Sequence, residues 1–377
     1  MQRAPRQLPG WWLVDGSLLA RRILHAKPNS FISSFCQRAH NFRLISESVN
    51  ARTVFVFDND PSSQESDTST RCWRHEFLPG CKTRSAADRL GSRSLQGKYV
   101  EGMELLQRRF FPAAGIPFLR APRGVEADDA LAELADREIA KNRHVTLLST
   151  DKDLFQLLRA WPHLEVLDPF SLDFVTPHCV KDKYGVFPHR LAEFFAINGD
   201  RSDRIPGVSS VGPKRIATLF DPKSIPLELP LNEVLARGYV LKSNLPKKFA
   251  DILVADTAKI ERNYALTVLP SPRRSAENGV GISSDLVRQL DAIDLLELAC
   301  ETEQKRNEEL REFAGRHAFK LHPDIESLYR AGKQWRRLLF RQFGQQYTGT
   351  PSSQHTRMQT DDGQKKSRRQ LADFSVT

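Results

Sequence analysis

The chain has 377 residues, of which 27% are charged and 40% apolar, with a formal charge of +10. That apolar share is enough for one large domain or two smaller ones without disulfides. Five scattered cysteines with no CxxC pair point to reduced thiols and an intracellular protein, and no apolar run is long enough for a membrane span or a signal-peptide core.

The net positive charge calls for a polyanionic partner, nucleic acid being the natural one, although Lys365, Lys366, Arg368 and Arg369 near the C-terminus carry part of it. Residues 1–10 hold Arg3 and Arg6 and no acid, too short a stretch for a transit peptide. The compartment stays open between an organelle and a bacterial nucleoid.

Trp11–Val14 reads as a buried strand ending at Asp15, followed by Gly16 and by a helix bearing Arg21, Arg22, His25 and Lys27. Thr53–Phe57 is a second apolar strand, and it too ends in an acid, Asp58. Residues 59–71 are polar and turn-rich. A basic stretch follows, with Arg74, Lys82 and Arg84 at its densest part; a solvated face is the plain alternative for it. Cys72, His75 and Cys81 lack a fourth ligand for zinc. Helical spacing resumes at Tyr99, Met103, Leu106 and Phe110, and Ile116–Leu119 is a short strand.

The stretch Gly124–Leu158 opens with Glu126, Asp128 and Asp129 at a helix start. It continues through the strand Val145–Leu148 to Asp151 and Asp153. Acids at a helix start and Asp after a strand are ordinary features by themselves. Here, however, three apolar strands end in aspartate, and parallel strands put all three carboxylates on one edge, where sites form. Such a cluster requires a cation, and hard oxygen donors suit Mg²⁺ or Mn²⁺.

Leu164–Leu167 and Phe174–Val175 read as edge strands, and Pro177–Tyr184 and Arg190–Ile197 as helices. Asp200 and Asp203 open a segment, Gly199–Phe220, with the layout of a helix–hairpin–helix element. Its Gly207, Val208, Ser210 and Gly212 shape a turn that lets backbone N–H groups approach a phosphate, and Lys214 and Arg215 add charge for backbone contacts. A plain helical hairpin is the alternative. Residues 221–346 read as mostly helical, including Leu286–Glu301, Lys305–Phe319 and the basic, aromatic run Trp335–Phe343, and 347–377 as a disordered tail. No Walker loop and no Ser/His/Asp or Cys/His nucleophile system is present.

Taken in order, VDG, VFVFD, RHE, GVEADDALA, STDKDLFQLL and GDRSDRIPGVSSVGPKR resemble the 5′-nuclease family, above all the 5′→3′ exonuclease domain of bacterial DNA polymerase I, from about Trp11 to about Pro270. The resemblance implies an α/β, PIN-like domain with a mostly parallel central sheet, a helical arch, and a helix–three-turn–helix DNA-binding element. It implies domains at 11–198 and 199–346. With no polymerase domain following, it implies a free-standing nuclease acting as a monomer.

By the same resemblance, Asp15, Asp58, Glu126 and Asp128 would hold a first metal. Asp128 or Asp129 with Asp151, Asp153, Asp200 and Asp203 would hold or support a second. Mg²⁺ is the expected ion, Mn²⁺ a substitute, and K⁺ an additional ion at the hairpin. Arg22, Arg74, Lys82 and Arg84 would steer the scissile phosphate. The substrates implied are branched or nicked duplex DNA with 5′ flaps or 5′ ends, including RNA primers paired to DNA. Cys81 stands where the family usually has Tyr, and the loop 59–71 is extra. A branched-DNA-binding protein with a weakened site and a PIN-type RNA endonuclease are the alternatives.

Overall fold

A computed structural model describes residues 10–59, 72–79, 81, 90–221, 231–236, 245–271, 280–303, 308–324, 327, 328 and 330. Lys82 and Arg84, residues 82–89 of the expected arch, the run Trp335–Phe343 and the tail 347–377 lie outside the described residues.

The centre is a six-stranded sheet in the order β3-β2-β1-β4-β5-β6. Its strands are β1 (Gly10–Asp15), β2 (Ala51–Phe57), β3 (Phe118–Arg120), β4 (Val145–Leu148), β5 (Leu164–Leu167) and β6 (Phe174–Val175). All neighbours pair in parallel except the last two, which are antiparallel. From β1 the chain runs outward through β2 and β3, then returns to build β4, β5 and β6 on the other side. This reversal makes β1 a topological switch point, and a crevice opens beyond the carboxyl ends of β1 and β4.

Successive side chains of a strand point to opposite faces, and β1 is buried on both. Trp11 and Leu13 belong to one core, which includes α6 (Ala127–Ala140) and continues into residues beyond 199. Trp12 and Val14 belong to the other, with α1 (Gly16–Ala26) and α2 (Phe31–Ser48). That second core is aromatic: Phe55 and Phe111 meet edge-on at 5.1 Å, and Phe57 and Phe111 at 5.6 Å.

Two features depart from the sequence expectation. The pattern Leu286–Glu301 is not one helix but two, Ser284–Asp291 and Leu295–Glu303. The break comes at Asp294, whose side chain accepts the N–H groups of Leu296 at 2.7 Å and Glu297 at 3.2 Å and so caps a new helix. The helix Glu308–Arg316 and the residues after it return to the second, aromatic core, where Phe313 and Phe319 pack on Phe110. Gln37 secures the return by exchanging two 2.7 Å hydrogen bonds with the Lys320 backbone.

Candidate metal centre and nucleic-acid interface

The acids gather at the crevice because each closes a regular element. Asp15 ends β1 and caps α1, its Oδ1 accepting the Leu18 N–H at 2.9 Å and its Oδ2 the Ser149 hydroxyl at 3.0 Å. Gly16 follows of necessity, since a Cβ there would lie 2.3 Å from the Phe57 ring. Asp58 leaves β2 and accepts the Ala127 N–H at 2.8 Å, so it caps α6 from outside that helix. The Glu126 N–H in turn donates to Asp129 at 3.2 Å as half of a capping box. Ser149 takes the Asp151 N–H at 3.0 Å, and Asp151 takes that of Asp153 at 3.0 Å.

Two groups of carboxylates result. One oxygen from each of Asp128, Asp151 and Asp153 lies within 4.8 Å of the others, and the same holds for Asp153, Asp200 and Asp203. Asp153 belongs to both. Asp15 is 3% exposed. Burial pushes its carboxyl up to about 7; the Arg21 guanidinium and the Leu18 N–H pull it down, while nearby Asp58 and Asp151 push it further up. The donors are all hard oxygens, so the groups fit divalent cations.

One cation of the chain's own is already present. Lys152 places its ammonium against Asp200 and 2.8 Å from Ser202 Oγ, over the Phe195 ring at 5.2 Å. Burial lowers its pKa, but Asp153, Asp200 and Asp203 outweigh that and hold it above the ordinary lysine value.

The expectations for Arg74 and Asp129 need correction. Arg74 does not face a substrate channel. It is 1% exposed and binds Asp129 through both terminal nitrogens, at 2.6 and 2.8 Å. Asp129 is likewise 1% exposed and belongs to neither carboxylate group. Arg22 is exposed at the crevice rim, donating to Thr150 Oγ1 at 2.7 Å and lying 4.9 Å over Phe170. Sequence reasoning missed Ser149, whose only signal is a small polar residue between a strand end and an aspartate.

The hairpin follows α8 (Leu191–Asn198) and precedes α9 (Pro213–Leu219). Two of its three glycines are required by backbone contact. Gly199 has φ +76°, and a Cβ on Gly207 would lie 2.2 Å from the Asn198 carbonyl oxygen. Ser210 adopts φ +64°. Gly212 has no such constraint, since a Cβ there would meet nothing within 4 Å. Val208 is buried and anchors the turn rather than facing outward. Lys214 and Arg215 are exposed. Arg215 donates to the Ser210 carbonyl at 2.8 Å and stacks on Phe249 at 3.7 Å. The helix Thr257–Thr267 props the turn from behind, Asn263 donating to the Ala196 and Pro206 carbonyls at 3.0 and 2.8 Å and Lys259 to that of Gly207 at 2.6 Å.

Sheet and acids together define a divalent-metal centre on a PIN-like α/β fold. The family described as 5′-3′ exonuclease, N-terminal resolvase-like domain matches residues 11–185. Flap endonuclease Xni of Yersinia enterocolitica is 34% identical over 212 residues, 56% of this chain and 76% of that protein. Its counterpart in Edwardsiella ictaluri is 33% identical over 208 residues, 55% of this chain and 74% of that one. Among solved structures, T5 5′-exonuclease with bound zinc superimposes with a TM-score of 0.57 at 22% identity, over 77% of this chain and 99% of that chain. This chain belongs to the 5′-nuclease family.

Proposed function

We propose that this chain is an Mg²⁺-dependent, structure-specific 5′-nuclease that cleaves 5′ flaps and 5′ ends, RNA primers included, on branched or nicked duplexes, with Mn²⁺ as a substitute ion. One observation carries the reading: two carboxylate groups that share Asp153 beyond the ends of β1 and β4. Two divalent ions about 4 Å apart supply, when bound, an activated water and a stabilised leaving oxygen for phosphodiester hydrolysis.

In this reading Asp128, Asp151 and Asp153 hold one ion, with Asp15, Asp58 and Glu126 supporting it, and Asp153, Asp200 and Asp203 hold the other. Lys152 balances charge at Asp200. Arg22 at the rim receives the scissile phosphate, and Lys82 and Arg84 steer it. Lys214 and Arg215, beside the backbone N–H groups of the Gly207–Gly212 turn, hold the duplex through its phosphates, which carry no sequence information. A K⁺ ion at this hairpin would have to share the Gly207 carbonyl with Lys259 or use other carbonyls. The protein acts as a monomer.

The curated relatives named flap endonuclease support this reading. The test is a substrate panel in Mg²⁺ and in Mn²⁺, comprising 5′-labelled flap duplex, nicked duplex, RNA-primed duplex and single-stranded RNA. Release of short 5′ fragments from the flap duplex is expected. Cleavage of single-stranded RNA alone points to an RNA endonuclease, and folded protein that binds flap DNA without cutting it points to a binding protein.

A further inference from the structure

We propose that Arg74 is a positioning residue for the metal centre. It clamps the first turn of α6 so that Glu126 and Asp128 are presented to the ion. The proposal rests on the reading of that site as a divalent-metal centre.

A guanidinium has five N–H donors in a fixed fork, and the contacts of Arg74 account for all of them. Nε donates to the Leu266 carbonyl at 2.8 Å. Nη1 donates to Glu126 Oε2 at 3.1 Å and to Asp129 Oδ2 at 2.8 Å. Nη2 donates to Asp129 Oδ1 at 2.6 Å and to Ser271 Oγ at 3.0 Å. Asp129 also receives the Ser271 hydroxyl, and the Trp73 indole N–H at 3.3 Å. One side chain thus joins three segments: the Arg74 turn, the start of α6 52 to 55 positions on, and the end of the helix Thr257–Thr267 with the residues just after it, 192 to 197 positions on.

Stability alone does not require a charge here. A buried ion pair is seldom better than a well-packed apolar pair of similar volume. What the pair supplies is orientation. Asp129 follows Asp128 directly, about 100° further round the helix. The Arg74 fork therefore grips the back of the turn while Asp128 faces Asp151 and Asp153. The same fork holds Glu126 through Oε2, and the Glu126 side chain also accepts the Asp129 N–H in the capping box, so both acids of the turn are fixed together. Groups that orient metal ligands in this way typically change metal affinity about 10–100-fold when removed.

The test is calorimetric titration of Mn²⁺ into the full chain, with thermal unfolding recorded in parallel. R74M alone strands Asp129 as a buried charge, so R74M/D129N, which removes both charges, is the principal variant, and R74K, with three donors and no planar fork, is the second. Both are expected to bind Mn²⁺ about 10–100-fold more weakly than wild type. A folded variant of either kind with wild-type affinity overturns the proposal and leaves the site reading standing. Wild-type protein that binds no Mn²⁺ overturns both. A cycle with E126Q adds a measure that a purely structural role does not move. The penalty of removing Arg74 should shrink once Glu126 is neutral, and full additivity overturns the clamp.

Discussion

Ser149 donates its hydroxyl to Asp15 at 3.0 Å, joining the carboxyl ends of two adjacent parallel strands across 134 positions of chain. Its oxygen also accepts the Asp151 N–H at 3.0 Å. One small side chain therefore sets the spacing between acids from β1 and from the turn after β4. S149A should lower cleavage about 10–100-fold, the usual cost of losing a partner of a metal ligand, and cost about 1–2 kcal/mol of stability. Initial rates across Mg²⁺ concentration and urea unfolding check both. A stability loss with unchanged Mg²⁺ dependence would make Ser149 purely structural.

Asp153 belongs to both carboxylate groups. Neutralising it, or Asp151, relieves like-charge repulsion while removing ligand oxygens. D151N/D153N should lose more than about 100-fold in cleavage, beyond what an outer partner costs. Its thermal midpoint without metal should be equal to or above that of wild type. Flap binding in Ca²⁺ should persist. A drop in thermal midpoint together with lost DNA binding would mark these acids as part of the scaffold.

Lys214 is exposed at the start of α9, whereas Arg215 is engaged with Ser210 and Phe249. The two should therefore differ. K214A is expected to weaken duplex binding for all sequences alike and to reduce the slope of log affinity against log salt by about 1. R215A should loosen the turn itself. Fluorescence anisotropy at several salt concentrations separates the two effects, and an unchanged slope in K214A removes it from the interface.

Glu193 gives a pH prediction away from the acids. Burial pushes its carboxyl up to about 7 against the pull of Arg190, whose Nη1 is 2.7 Å away. Its Oε2 is buried without a hydrogen-bond partner among the described residues. The folded state thus holds the proton longer than the unfolded chain does. Its contribution to stability is greatest below the ordinary glutamate value and is lost as pH rises through about 7. E193Q cannot ionise, so its stability relative to wild type should rise by about 1–3 kcal/mol between pH 5 and pH 8. Urea unfolding at the two pH values measures this, and a constant difference would mean that Glu193 does not titrate in this range.

Much of the fold was legible. Trp11–Val14 and Thr53–Phe57 are apolar on both faces, which only a sheet covered on two sides requires. The aspartates that end them sit where a chain leaves a strand. Gly207 was legible as a turn residue, but what requires it is close contact with the Asn198 backbone rather than room for a phosphate, and Gly212, read in the same way, has open space where a Cβ would stand. Arg74 was misread because a basic run looks the same whether it faces solvent or reaches a partner 55 positions away. The break at Asp294 was missed because apolar spacing continued across it while the cap is a local hydrogen bond.

Local chemistry, then, determined which residues could be strands, caps, turns and ligands, since periodicity and short-range hydrogen bonding are written along the chain. Tertiary structure alone decided which acids gather into one group and which is neutralised. Asp128 and Asp129 are adjacent in sequence and equal in charge, yet one faces Asp151 and Asp153 and the other Arg74. The helix rotates them apart, and only the packing of distant segments on each side determines what each one meets.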